Sequence, residues 1–385
     1  MLTVTSDAQA TAPAGTVAGD GGSRGDPFGI MGFMGFHQLD PTPETTVNCF
    51  DPGHVPRLAV DPGDTVTVAS LDAGGHLERQ RFPGDMERPM MAFPGDLWGH
   101  CLTGPVAVRG ARPGDTLAVR LESVVPGEWG WTTARPRPDS PVSKRLGLTP
   151  EDRAHLLWEI DSAAGTATAN GRYTRPLAPF LGVIGTAPAQ PGTHSTIPPR
   201  AEAGGNIDCK ELVAGSTLYL PVNVPGALVY LGDGHGAQGD GEVCGTAVEC
   251  PMTTTVTLDI ADGRPLRSVH AETPGGLVTF GFSADLNEAM GDALDDMVTW
   301  LASLYGAPRA EALALASTCA DLRVTQVANE TWGVHAVLPA GLLSARPLSL
   351  TDRRDCPGHQ AHGTRARART KRLIHRGSLR GLRGG

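Results

Sequence analysis

The chain has 385 residues, 40% of them hydrophobic and 19% charged, with 50 Gly and 32 Pro. That length supports a large core, while the Gly and Pro load excludes a helix-dominated fold and calls for turns and short strands. The formal net charge is −9, and residues 352–385 hold ten Lys/Arg against two Asp/Glu, so the body before them is strongly acidic and disfavours nucleic acid as a partner.

No apolar run approaches the ~18 residues of a membrane span, and the N-terminus lacks a basic stretch followed by an apolar one. The expectation is a soluble, unexported protein with no membrane partner. Its 7 Cys are odd in number and form no CxxC pair, which argues against a disulfide framework or a zinc finger and fits a reducing cytoplasm.

Residues 1–30 are mainly Ala, Gly, Thr and Ser and are expected to form a flexible leader, because they offer little apolar surface to offset the entropy of ordering. From Val47 the pattern changes to short runs of alternating Val, Leu and Thr. Pro-Gly-Asp punctuates them at 62–64, 94–96 and 113–115. Two of these sit in near-repeats, Leu58 to Val68 and Val108 to Val119, with a looser echo from Cys209 to Leu220. Each reads as a strand, a tight turn and a returning strand, and together they predict a mainly β fold, a sandwich or barrel-like body of repeated hairpins.

Helices are expected late. Leu286, Ala289, Met290, Ala293, Leu294, Met297, Val298, Leu301 and Leu304 keep helical spacing behind Asp285, with Glu288 placed for a capping box. Pro308 opens an Ala/Leu-rich helix to about Ala320, followed by the strand-like run from Leu322 to Val327. These few C-terminal helices should pack on the β body, which ends near residue 350. Residues 351–385 are Arg-rich and of low complexity, and are expected to be a disordered basic tail.

Chemistry concentrates between Thr193 and Met252. Asp233, His235, Asp240 and Glu242 fall within ten residues among closely spaced glycines, with Asp208 before them and Glu249 behind. Glycines let a backbone turn tightly enough for such side chains to converge. Carboxylates and imidazole are ligands for a hard or borderline cation and are also groups that activate water. Asp and Gly also fill exposed turns, but acids packed this densely repel one another unless protons or a cation compensate. The loop does not match an EF-hand.

The segments Gly-Asn-Ile-Asp-Cys-Lys (205–210), Ala-Gly-Ser-Thr-Leu-Tyr-Leu-Pro-Val (214–222) and the run from Gly232 to Glu249 resemble signatures of the acetamidase/formamidase family. The similarity extends to Phe50-Asp51, to 60–66, to His100-Cys-Leu-Thr-Gly-Pro, to 179–185 and to 322–327, covering roughly residues 40–340. The resemblance implies a β-rich amide hydrolase spanning about residues 31–350, which cleaves formamide or acetamide to acid and ammonia, commonly as a homodimer or higher homo-oligomer. A divalent cation, zinc or calcium, is the implied cofactor. Asp208, Asp233 and His235 are the candidate metal ligands, and Glu242, Glu249, His194 and His100 the candidate catalytic residues. Where the family usually has an aromatic pair, this chain has Val47-Asn48-Cys49-Phe50, which implies an altered pocket rim.

Amide hydrolysis needs a polarised carbonyl, a nucleophile and a proton for the departing nitrogen. A covalent route through Cys209, beside Lys210, is the mechanistic rival; Cys244 and Cys250 flank the acidic loop, but such cysteines are more often buried small hydrophobes. A binding module with the same metal site and no turnover, and a hydrolase of urea-like or carbamate compounds, are the alternative functions. His54 and His76 read as structural or surface histidines, as most single histidines are. Trp98, Trp129 and Trp131 are candidates for a pocket wall, although tryptophans more often pack cores.

Overall fold

The strand Asp64–Ser70 shows how alternation becomes architecture: Val66 and Val68 point into the core, while Thr65 and Thr67 point outward and pair their hydroxyls with Thr257 and Thr255 at 3.1 Å. The protein is described here by a computed structural model over residues 34–344, apart from 86, 95, 96, 139 and 265. The expected leader at 1–30 and basic tail at 351–385 lie outside the described residues.

Among the described residues the largest sheet has nine strands, in the order Phe36–Leu39, Asp64–Ser70, Met252–Ala261, Thr116–Pro126, Thr217–Pro221, His270–Thr273, Gly276–Ser283, Trp332–Pro339 and Asp321–Gln326. A second sheet has six strands, with Phe180–Thr186, Val229–His235 and Leu102–Val108 side by side at its centre. These three are buried along their whole length, which is why they do not alternate apolar and polar residues, and Val229–His235 carries its Asp233 and His235 buried. Val66, Leu117 and Val256 of the first sheet share one apolar core with Val106, Leu181 and Leu231 of the second. A four-stranded sheet, including Ala154–Asp161 and Trp129–Ala134, adds Trp158 and Ile160 to that core. The fold is mainly β, as the sequence implied.

The near-repeats have a different local role from the hairpins read in the sequence. Leu58–Val60 belongs to the six-stranded sheet and Asp64–Ser70 to the nine-stranded one, and Leu102–Val108 and Thr116–Pro126 are divided in the same way. The repeated turns are corners that carry the chain from sheet to sheet. Their aspartates close them, Asp64 accepting from the Asp61 N–H at 3.0 Å and Asp115 from the Arg112 N–H at 2.8 Å. The Pro94 turn includes residues outside those described.

The long helix Leu286–Tyr305 is capped by Asp285, which accepts from the Asn287 N–H at 2.7 Å rather than closing a box with Glu288. Ala289, Ala293, Met297, Val298 and Leu301 form its buried face, and the helix Arg309–Cys319 follows. No helix among the described residues is long and apolar enough to cross a membrane.

Two consequences are measurable. The long helix crosses the strand Gly276–Ser283 so closely that Thr279 Oγ1 donates to the Ala293 carbonyl at 2.6 Å, and a Cβ on Gly281 would overlap the Ala289 carbonyl oxygen. Gly281→Ala should therefore destabilise the fold by about 1–3 kcal/mol in denaturant unfolding; an unchanged midpoint would show that the helix lifts freely. Asp64 also accepts from the Gly35 N–H at 2.6 Å and pairs with His37 at 2.9 Å, tying the edge strand to the corner. Burial raises its carboxyl pKa, but these partners outweigh burial and lower it. The resulting stabilisation is present above the unfolded carboxylate value of about 4 and is lost as pH falls through the lower folded one. Asp64→Asn should accordingly reduce Tm at about pH 7, with the deficit shrinking toward about pH 3. Equal deficits at both pH values would contradict this account.

Candidate active site

Asp233 and His235 stand two residues apart on the fully buried strand Val229–His235, so their side chains leave the same face. The chain beyond folds back on itself: Gly236 N–H donates to Val248 O at 2.8 Å and Cys250 N–H to Gly234 O at 2.8 Å, which places Glu249 beside His235. Asp208 arrives from the turn after Gly204–Asn206, and Glu242 from within the returning loop. Asp208, Asp233 and His235 offer ligand atoms all within 4.8 Å of one another, and so do His235, Glu242 and Glu249. All five residues are buried.

Holding them there strains the backbone. Asp208, Asp233 and Glu242 have φ of 53°, 58° and 39°, and they are half of the six described non-glycine residues in that region. Such conformations cost of order 1 kcal/mol or more each and persist where surrounding structure imposes them. Gly182, on the neighbouring strand, lies directly beneath: a Cβ there would overlap Asp233 Oδ2 and come within 2.7 Å of Asp208 Oδ1 and 2.9 Å of His235 Cε1.

The imidazole of His235 is oriented by Gln238, whose Oε1 lies 2.9 Å from Nδ1 and whose Nε2 donates to the Asp208 carbonyl at 2.7 Å. With Nδ1–H donating to Gln238, Nε2 faces the carboxylates, 3.3 Å from Glu249 Oε2 and 3.5 Å from Asp233 Oδ1. Glu249 Oε1 accepts from the Ala247 N–H at 2.7 Å. Four inward atoms, both oxygens of Asp208, Glu249 Oε2 and His235 Nε2, have no hydrogen-bond partner among the described residues.

The electrostatics follow from this crowding. Burial, then the neighbouring Asp233, pushes the Asp208 carboxyl well above its usual range; burial, then Asp208, does the same to Glu242. Glu249 is pushed up to about 7, mainly by burial. Burial would also raise Asp233, but the imidazoles of His100 and His235 outweigh it and hold that carboxyl below its usual value. For His235, burial opposes the proton, yet Glu249 and Asp233 outweigh it and push the pKa well up. A field that draws a proton to this position also favours a cation, so the donor set of one imidazole and several carboxylates fits a divalent metal.

His100 borders the cluster, with Nε2 3.9 Å from Asp233 Oδ2 and its backbone N–H donating to Thr196 Oγ1 at 2.7 Å; burial lowers its pKa, partly offset by Asp233. The structure therefore brings together Asp208, Asp233, His235, Glu242, Glu249 and His100. It does not bring His194 to them: that residue pairs with Phe50 in a separate two-stranded ladder and donates from Nε2 to the Gln190 carbonyl at 2.8 Å. The cluster opens on a cleft of about 740 Å³ whose walls include His76, Met91, Trp98 and Trp131. Cys209 and Cys250 are buried in the apolar core, where desolvation raises their thiol pKa values, and neither lines the cleft.

The family model described as "Acetamidase/Formamidase family" matches residues 37–194 and 189–274. The chain belongs to the acetamidase/formamidase family. It is 29% identical to the acetamidase of Mycolicibacterium smegmatis over 227 residues, 43% of this chain and 54% of that protein. The formamidase of Methylophilus methylotrophus is 27% identical over 50% of this chain and 58% of its own length. The chain thus matches little more than half the length of these curated relatives. The crystal structure of a Bacillus halodurans acetamidase superimposes with a TM-score of 0.68 at 29% identity, covering 78% of this chain and 97% of that one.

Within the acetamidase/formamidase pattern, Gln238 and Gly182 were not singled out from sequence as site residues. Gln238 had a signal, its place three residues after His235 in the glycine-rich loop. Gly182 lies in the family-like segment 179–185, but its place beneath the cluster follows only from the pairing of its strand. Gly182→Ala should leave the fold intact by circular dichroism while lowering affinity for zinc or calcium at least tenfold in isothermal titration, because the added methyl crowds all three candidate ligands, Asp208, Asp233 and His235. Unchanged metal affinity would show that the cluster is not the metal site.

Proposed function

We propose that this protein hydrolyses the C–N bond of small linear amides, formamide and acetamide being the favoured substrates, to give a carboxylic acid and ammonia. The observation that supports this reading most directly is the buried set of carboxylates around one imidazole, with four unpartnered polar atoms, beside a cleft lined by Asp208, Asp233, Glu242 and Glu249. The names of the family and of its relatives supply the reaction class.

Asp208, Asp233 and His235 would hold a divalent cation, zinc or calcium. When bound, such a cation supplies Lewis acidity toward the amide carbonyl and lowers the pKa of an attacking water. Glu249 keeps one oxygen fixed by the Ala247 N–H and turns the other inward, so it can take the proton of that water. Glu242, drawn into the same cluster, is the second carboxylate able to do so. His100 faces Asp233 from the cleft side and can orient the substrate. The buried thiol of Cys209 lies outside the cleft, which speaks against the covalent route.

We further propose a cytoplasmic homo-oligomer whose folded catalytic unit spans about residues 31–350. The test is ammonia release from formamide and acetamide, measured with metal content before and after chelation. Activity should fall with the metal and return with it. Asp233→Asn should lower kcat/KM about 100-fold or more with the circular dichroism unchanged, whereas Cys209→Ala should have an effect of at most a few-fold. Full turnover by rigorously metal-free protein, or loss of turnover in Cys209→Ala alone, would overturn the metal-assisted mechanism.

A further inference from the structure

The cleft contains a second built polar group that the cluster does not account for. His76 lines it, and the ring is held on several sides. Its Nδ1 lies 2.9 Å from Asp72 Oδ2, while its backbone N–H donates to Asp72 Oδ1 at 2.7 Å. Asp72 is fully buried, accepts from the Trp131 indole N–H at 2.6 Å, and sits 3.9 Å from the guanidinium of Arg88. Arg88 is itself buried against the rings of Trp129 and Trp131. Trp131 meets the imidazole edge to face, and a Cβ on Gly74 would overlap the ring.

A local turn would need only the bond from Asp72 to the His76 N–H. The imidazole contact, the indole donor and the guanidinium are additional, and they hold a carboxylate out of water, which is costly unless it is fully partnered. Their common effect is on the ring. A carboxylate accepting from Nδ1–H fixes the tautomer, leaving the lone pair on Nε2 and the ring at a set angle. With Nδ1 committed to buried Asp72, Nε2 is the nitrogen that remains for a ligand in the cleft.

We propose that His76 is a substrate-binding residue of this site, its Nε2 accepting a hydrogen bond from an N–H of the substrate's amide nitrogen, so that the site selects amides bearing an N–H over esters of the same shape. The proposal rests on the amide-hydrolase reading above. The carboxylate cluster offers the carbonyl and the water what they need, and an acceptor for the nitrogen end completes recognition of a primary amide. Asp72 acts through His76 as a positioning residue.

The experiment compares KM for acetamide with Ki for methyl acetate as competitor, in wild type, His76→Phe, His76→Gln and Asp72→Asn, at matched metal content. His76→Phe should raise KM for acetamide up to about tenfold, the value of one hydrogen bond, and change Ki for the ester less than about twofold. His76→Gln, which keeps an acceptor, should recover part of the loss, and Asp72→Asn should weaken amide binding without affecting the ester. Parallel changes for amide and ester, or an unchanged KM in His76→Phe, would overturn the proposal. If wild type releases no ammonia from acetamide, the hydrolase reading fails. Calorimetric dissociation constants of acetamide and methyl acetate for wild type and His76→Phe then decide the His76 proposal: an amide-specific loss supports it, and equal values overturn it.

Discussion

Asp208, Asp233, Glu242 and Glu249 crowd around the imidazole of His235 with almost no solvent-exposed surface. Carboxylates so placed repel one another with little dielectric screening, and the upward pKa shifts of Asp208, Glu242 and Glu249 follow from burial first and from that repulsion second. Much of the surrounding structure serves to keep the arrangement from relaxing. Left-handed backbone at three of the acids aims them inward, Gly182 leaves the space they occupy, and Gln238 fixes the imidazole. A protein under pressure only to be stable would replace such a cluster with apolar side chains.

The framework that resists this repulsion is the pair of sheets. Asp233 and His235 are carried by a strand buried on both faces, with Phe180–Thr186 on one side and Leu102–Val108 on the other. Main-chain bonds on both edges leave that strand little freedom to move its side chains apart. The corners closed by Asp64 and Asp115 join Leu58–Val60 and Leu102–Val108 to the nine-stranded sheet within a few residues, so the core that backs the site is continuous through the chain as well as across space.

How much of this was legible in the sequence depended on whether the decisive contact was local. The glycine-rich run from Gly232 to Glu249 announced the cluster because most of its side chains lie in one segment. The alternation of Val66 and Val68 announced a strand for the same reason, and the spacing of Ala289, Ala293 and Met297 announced a helix. Which sheet each strand joins depends on distant partners, so the near-repeats read as hairpins when they are corners. His194 shares a distinctive stretch of sequence with the cluster but is turned away by its pairing with Phe50. His76 reads as a structural or surface histidine in the sequence, and its contact with Trp131, 55 positions further along the chain, has no local signal there.

Trp131 also connects the two polar ends of the cleft. Its backbone exchanges N–H···O bonds with Glu249 at 2.9 Å in both directions, while its indole N–H holds Asp72 at 2.6 Å. The register of that one residue therefore fixes where Glu249 stands relative to His235 and, at the same time, where the Asp72 carboxylate stands relative to His76. Paired backbone of this kind moves little, whereas the side chains it carries would otherwise explore several rotamers. Glu249 and the Asp72 carboxylate are thus both placed through a single tryptophan, and two groups tied to one paired residue hold their relation where separately anchored side chains would not.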